Sequence, residues 1–172
     1  SADAGMEDTS FDEFDNFSNG NATTKNENEA LQTDQVYEED SLNTEHLYVI
    51  YNTPLDWEEA KAYCESLGGH LAVITSEEEQ QKINEIVSAD GEMEAYWLGG
   101  RKNTETDSFE WVTGEPFDYT NWDEGEPNNY LNREEDCLQL LPDEGWNDMT
   151  QKGDPTGIQL SQIGFICEWD MN

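Results

Sequence analysis

The sequence predicts an α+β domain, and three observations carry that prediction. Two capped helical signatures come early in the chain, several short aromatic strands follow them, and one long polar loop separates the later strands. Leu47-Tyr48-Val49-Ile50-Tyr51 is apolar and β-branched or aromatic, which is the composition of a strand. Asp56 stands as a helix N-cap, with Glu59 three residues on to complete a capping box. Trp57, Ala60, Cys64 and Leu67 recur at spacings of three or four and define one buried face, and Gly68-Gly69 ends the helix. Residues 71–74 read as a short apolar strand. Ser76 and Glu79 cap a second helix, whose buried face is Ile83, Ile86 and Val87. After Gly91 the chain predicts strands at residues 96–98, 109–112, 137–141 and 165–169. Residues 114–136 hold few strand formers, and a loop of that length in a compact domain is usually functional.

The chain of 172 residues is long enough for one domain with a proper core and a tail. Its net charge is −34. Thirteen acids against Lys25 alone leave residues 1–45 at −12 and the remainder at −22. Both parts should repel nucleic acid and anionic membrane, because phosphate binding depends on Lys and Arg. No apolar run reaches the roughly 18 residues of a membrane span, so direct membrane insertion is not expected. Residues 1–30 carry no basic start and apolar stretch of the signal-peptide kind. Residues 1–45 are expected to be an acidic, disordered tail or linker, because such a composition buries too little apolar surface to offset ordering entropy. The domain is placed at 46–172. Within the tail, Phe11, Phe14 and Phe17 recur at spacing three, and Asn16 and Asn21 open glycosylation sequons.

Three cysteines, Cys64, Cys137 and Cys167, suggest one disulfide and one leftover thiol in an oxidising compartment. No pair stands as C-x-x-C, so zinc and thioredoxin-like readings lack support. The only histidines, His46 and His70, read as strand-edge or turn residues, and no Ser-His-Asp or Cys-His arrangement is available for catalysis. An enzyme is therefore not expected.

Three features stand in order along the second half: Glu126-Pro127-Asn128, Glu135-Asp136-Cys137 and Trp146-Asn147-Asp148. Together they supply three carboxylates and two amide carbonyls, the hard oxygen donors that calcium prefers. Zinc would call for His or Cys instead. A cis peptide at Pro127 would aim both flanking side chains the same way, and X-Pro is the common route to a cis bond.

These motifs resemble the C-type lectin domain family. The resemblance runs from about His46 to Asp170. It adds Trp57-Glu58-Glu59-Ala60 with Cys64, Gly69-His70-Leu71-Ala72, Trp97-Leu98-Gly99-Gly100, Phe109-Glu110-Trp111-Val112, Asn121-Trp122 and Phe165-Ile166-Cys167-Glu168. It implies two helices packed on small antiparallel sheets with a long calcium-binding loop. It implies that Glu126, Asn128, Glu135, Asn147 and Asp148 ligate one calcium ion and also bind sugar, with Tyr130 as a further sugar contact. The Glu-Pro-Asn form implies mannose-type vicinal hydroxyls, as in mannose, fucose, glucose and N-acetylglucosamine. Partners would be glycans or glycoproteins on cell surfaces, met by a secreted or cell-surface protein in multivalent assembly. The alternative within the family is a protein-binding or adhesion module that binds no sugar.

The resemblance also implies a Cys64–Cys167 disulfide, with Cys137 left as a buried thiol because Gln151 stands where its partner is expected. Lys102 falls where many members place an acid, which counts against an auxiliary calcium site despite Asn129, Asp136, Glu105 and Asp107 nearby. The stretch between Asn128 and Glu135 is one residue longer than the usual pattern, so Glu135 is assigned by counting back from Cys137.

Overall fold

Helix capping works as the sequence requires. Asp56 accepts the Glu59 N–H at 2.8 Å while Glu59 accepts the Asp56 N–H at 3.0 Å, a reciprocal box that opens α1, Trp57–Ser66. Ser76 opens α2, Glu77–Asp90, by accepting the Glu79 N–H at 3.2 Å, but the Glu79 side chain turns to the Thr75 N–H instead. Trp57, Ala60 and Cys64 are buried on α1 as the spacing predicts. Leu67 is not: it is the C-cap residue and 45% exposed, because the chain leaves the helix there and turns through Gly68 at φ +81°. On α2 the buried face holds Gln80 as well as Ile83 and Ile86, with Val87 at its margin.

This computed structural model describes residues 46–153 and 162–171, together with the backbone of 35–38. All of them belong to one unit, Leu31–Asn172. The remaining strands are β1 (Gln35–Glu38), β2 (His46–Tyr51), β3 (His70–Leu71), β4 (Ala95–Asn103), β5 (Ser108–Trp111), β6 (Cys137–Leu140), β7 (Trp146–Met149) and β8 (Ile163–Asp170). Among the described residues they form one sheet in the order β1-β2-β8-β4-β6-β7, with β3 added to β8 and β5 to β4. The expected small antiparallel sheets are thus joined into one mixed sheet. The join is parallel pairing of β4 with β8, Ala95 to Trp97 opposite Ile163 to Phe165. The α+β class holds.

β1 pairs antiparallel with β2 ahead of His46. Of residues 71–74 only Leu71 is strand, although Ala72, Val73 and Ile74 are all buried. The Phe11, Phe14 and Phe17 spacing and the sequons at Asn16 and Asn21 lie outside the described residues.

The core has two halves. One gathers Tyr48, Ile50, Ile83, Leu98, Trp111, Leu138 and Trp146; the other gathers Trp57, Leu71, Trp97, Phe165 and the three cysteines. Two buried indoles donate to carbonyls, Trp57 to Leu98 O and Trp97 to Leu55 O, each at 2.9 Å, so aromatic bulk is buried without orphaned donors there. Gly100 in β4 lets β6 approach closely: a Cβ there would lie 2.6 Å from Leu138 Cδ2.

Cys64 and Cys167 form a disulfide between α1 and β8, with Cα atoms 5.6 Å apart. Cys137 is a free, buried thiol, and burial pushes its pKa well above the usual range. The disulfide closes a loop 103 residues long. Replacing Cys64 and Cys167 together with Ala should lower the unfolding free energy by about 2–5 kcal/mol. Denaturant titration would check this, and a loss below about 1 kcal/mol would mean the core alone fixes the α1–β8 contact.

Candidate functional site

The long loop is anchored along β7 at two places. At the first, Trp146 N donates to Asn121 O at 2.8 Å and Asp123 N to Trp146 O at 2.9 Å. The fully buried Trp146 ring there meets Trp111, Phe117, Tyr119 and Trp122, and its indole N–H donates to Gln80 Oε1 of α2 at 2.7 Å. At the second, the fully buried Asp148 carboxylate accepts two backbone amides, Asn128 N at 3.1 Å and Asn129 N at 2.7 Å.

From these anchors the loop folds over the carboxylates. The Glu126–Pro127 peptide is cis, and Asn128 Nδ2 donates to Glu126 Oε1 at 2.9 Å. Glu135, 5% exposed, accepts the Tyr130 N–H at 2.8 Å, and its own N–H donates to Asn129 Oδ1 at 3.0 Å. Asn129, Leu131, Asn132 and Glu134 all have positive φ, with a single 3-10 turn at Tyr130–Asn132. Left-handed backbone at non-glycine residues costs about 1–3 kcal/mol each and persists only where surrounding bonds over-determine it. Here the bonds to Asp148 and Glu135 do so.

The fold therefore brings Glu126, Asn128, Glu135 and Asp148 together. Asn147 lies next to Asp148 on β7, but its amide donates to Gln139 Oε1 at 3.0 Å. No hydrogen bond ties Asn147 to the other four among the described residues. Tyr130 stands 56% exposed at the loop tip, with the Arg133 guanidinium 5.7 Å from its ring centre.

Residues 53–155 match the family described as Lectin C-type domain. The chain belongs to the C-type lectin domain family. It is 29% identical over 142 residues to Salivary C-type lectin 2 of Aedes albopictus, covering 76% of this chain and 87% of that protein. Two further relatives are much longer, and the match takes in 12% and 13% of their lengths. Among solved structures, the C-type carbohydrate-recognition domain of cow CD23, determined with GlcNAc2Man3 oligosaccharide, superposes with a TM-score of 0.63 at 28% identity, covering 74% of this chain and 90% of that one. A calcium-independent type II antifreeze protein superposes with a TM-score of 0.61, also at 28% identity, covering 79% and 96%. C-type lectin domains typically bind calcium, and this pair of neighbours marks the range of function on the fold.

In this lectin domain one loop carboxylate oxygen is left without a donor. Glu126 Oε2 is buried with no hydrogen-bond partner among the described residues. Burial, then the neighbouring Asp148 and Glu135 carboxylates, push the Glu126 carboxyl up to about 7. Burial raises Glu135 too. This moves the acid-sensitive range of the site upward from the value near 4 that unperturbed carboxylates suggest. The neighbourhood of an auxiliary calcium site is different, because cations already occupy it: Lys102 Nζ lies 3.8 Å from Asp107 and Arg101 lies 3.6 Å from Asp136. A cleft lined by Trp57, Lys61, Arg101, Lys102 and Trp111 shares no residue with the loop.

Sequence reasoning on Glu126, Asn128, Glu135 and Asp148 missed two polar residues that hold their strand, Gln139 and Gln80, and weighed Asn129 only for an auxiliary calcium site. Asn129 follows Asn128 directly, but nothing in its neighbours signals that its side chain caps Glu135.

In calcium-free buffer Glu126 should titrate near pH 7 by carboxyl 13C NMR, and Asp148→Asn should lower that midpoint. A folded-state pKa raised in this way favours the protonated form, so the metal-free domain should lose stability as pH rises from about 4.3 toward 7. A wild-type Glu126 midpoint near 4.3 would contradict the crowding.

Proposed function

We propose that this domain binds glycans bearing mannose-type vicinal hydroxyls, in a calcium-dependent way, at the loop between β5 and β6 and the strand β7 beside it. The observation that carries the reading is the gathering of Glu126, Glu135 and Asp148, with Glu126 Oε2 buried and given no N–H donor. Such a cluster of like charges is unfavourable alone, and an oxygen-rich set of carboxylates and amides fits a hard cation. Calcium would be held by Glu126, Asn128, Glu135, Asn147 and Asp148, and when bound it supplies coordination positions for two adjacent sugar hydroxyls. The protein does the rest. Carboxylate oxygens of Glu126 and Glu135 accept from the hydroxyls, and the exposed amide of Asn128 donates. The Asp148 anchors hold these groups in place before the sugar arrives, so little ordering entropy is lost on binding. Tyr130, exposed beside them, offers an apolar face for the sugar ring.

Contact with one monosaccharide is small, so useful strength is assigned to several copies engaging glycoproteins on a cell surface. Localisation outside the cell accords with the disulfide. No helix among the described residues is long and apolar enough to cross a membrane. A second reading, a module for protein contact without sugar, is favoured by one observation: Asn147 is engaged by Gln139.

Mannose-type glycans on an array should bind in calcium and be lost in excess chelator, and Asp148→Ala should abolish binding. Glu126→Gln with Asn128→Asp should shift preference toward galactose-type sugars, because donor and acceptor exchange places while one amide and one carboxylate remain. Equal binding in chelator would refute the calcium-dependent reading; no glycan bound under either condition would favour the protein-contact module.

A further inference from the structure

Strand register places two imidazoles and two carboxylates on one face of the sheet, in a cluster sharing no residue with the lectin loop. β8 runs between β2 and β3; His46 pairs with Asp170 and His70 pairs with Glu168. Directly paired residues share a face, and so do Glu168 and Asp170 two positions apart. His46 Nδ1 lies 2.7 Å from Glu168 Oε1 and 3.0 Å from Asp170 Oδ1. His70 Nε2 lies 2.9 Å from Asp170 Oδ2. One ligand atom each from His46, Glu168 and Asp170 falls within 4.8 Å of the other two.

The surroundings orient these groups as ligands. Glu168 is 1% exposed, and its second oxygen accepts the Val73 N–H at 2.8 Å, which leaves Oε1 turned to His46. His70 Nδ1 lies 2.8 Å from Leu71 O. With a proton on Nδ1 donated to that carbonyl, Nε2 is the atom turned toward a ligand, the arrangement usual for a metal-bound histidine. Nε2 then faces the Asp170 carboxylate, and His46 Nδ1 faces two carboxylates with one hydrogen at most. A proton on each imidazole, or a metal ion shared by the group, satisfies these contacts.

We propose that His46, Glu168 and Asp170, with His70 as the fourth group, form a zinc site. Zinc takes imidazole nitrogen and carboxylate oxygen in a tetrahedron, with bonds of about 2.0–2.2 Å. That geometry sets ligand atoms roughly 3.3–3.5 Å apart, so the His46–Glu168, His46–Asp170 and His70–Asp170 contacts each need only a slight opening. Calcium takes oxygen and leaves the imidazoles unused. Asp170, 46% exposed at its side chain, is the side from which the ion enters. The inference is independent of the sugar-binding reading.

The test uses the full chain without a histidine tag, in saturating calcium, titrated with zinc chloride. Because the chain has two histidines, imidazole 15N NMR gives two spin systems, both assignable by substitution. Both should move to a bound form at one zinc per chain. His46→Gln and His70→Gln should each weaken zinc binding at least tenfold by calorimetry. Imidazole signals unmoved at stoichiometric zinc would overturn the site and leave an ion-pair network only. Unchanged affinity when His46→Gln and His70→Gln are combined, or displacement of the zinc by calcium, would overturn it equally. If a variant fails to fold, the wild-type imidazole spectrum still decides.

Discussion

A single buried carboxylate governs the functional end of the molecule. Asp148 has no exposure, and a charge so placed is tolerable only when it is hydrogen-bonded. Two consecutive loop amides, Asn128 N and Asn129 N, meet that need. Charge-assisted bonds of this kind are roughly twice as strong as neutral ones. Satisfying Asp148 therefore fixes the loop backbone, and the rest follows. Asn129 is held so that its side chain caps the Glu135 N–H, and Glu135 in turn takes the Tyr130 N–H. The left-handed residues Asn129, Leu131, Asn132 and Glu134 lie in and beside the stretch that these bonds hold. The local cost of that backbone is offset by the network that holds it.

Asp148 can act this way because β7 is anchored to the core. Its neighbour Trp146 is buried among Trp111, Phe117, Tyr119 and Trp122, and its indole bond to Gln80 reaches α2. The aromatic cluster thus ties the helix layer to the strand that presents the carboxylate. The Cys64–Cys167 disulfide and the His46, His70, Glu168 and Asp170 cluster belong instead to β8 and its neighbours. Core, loop site and histidine cluster are separate consequences of one sheet.

Much of this was legible in the chain. Capping residues name helix starts because the bonds they make are local, and Asp56 and Ser76 did so. The three motifs pointed to Glu126, Asn128, Glu135 and Asp148 by residue type alone, and the fold brings those four together. Other features depend on partners distant in sequence. Leu67 fits the α1 spacing yet is exposed, because periodicity cannot tell where a helix stops contacting the core. The bond from Asn147 to Gln139 follows from β6–β7 register. Pairing of His46 with Asp170 and of His70 with Glu168 is likewise set by register, so neither histidine looked like a ligand in the sequence. The upward shift of Glu126 arises from burial and from Asp148 and Glu135, and no local pattern encodes it.

A chain with a net charge of −34 offers calcium many weak places to bind, so stoichiometry alone does not locate the ion. The decisive measurement is residue-resolved: a calcium titration of the 15N-labelled protein, following the amides of Asn128, Asn129 and Tyr130. These three N–H groups donate to Asp148 and Glu135. They should shift together and saturate with one calcium per chain, and the response should vanish in Asp148→Ala. Calcium binding that leaves these three amides unmoved would contradict the account, whatever ion the acidic surface collects.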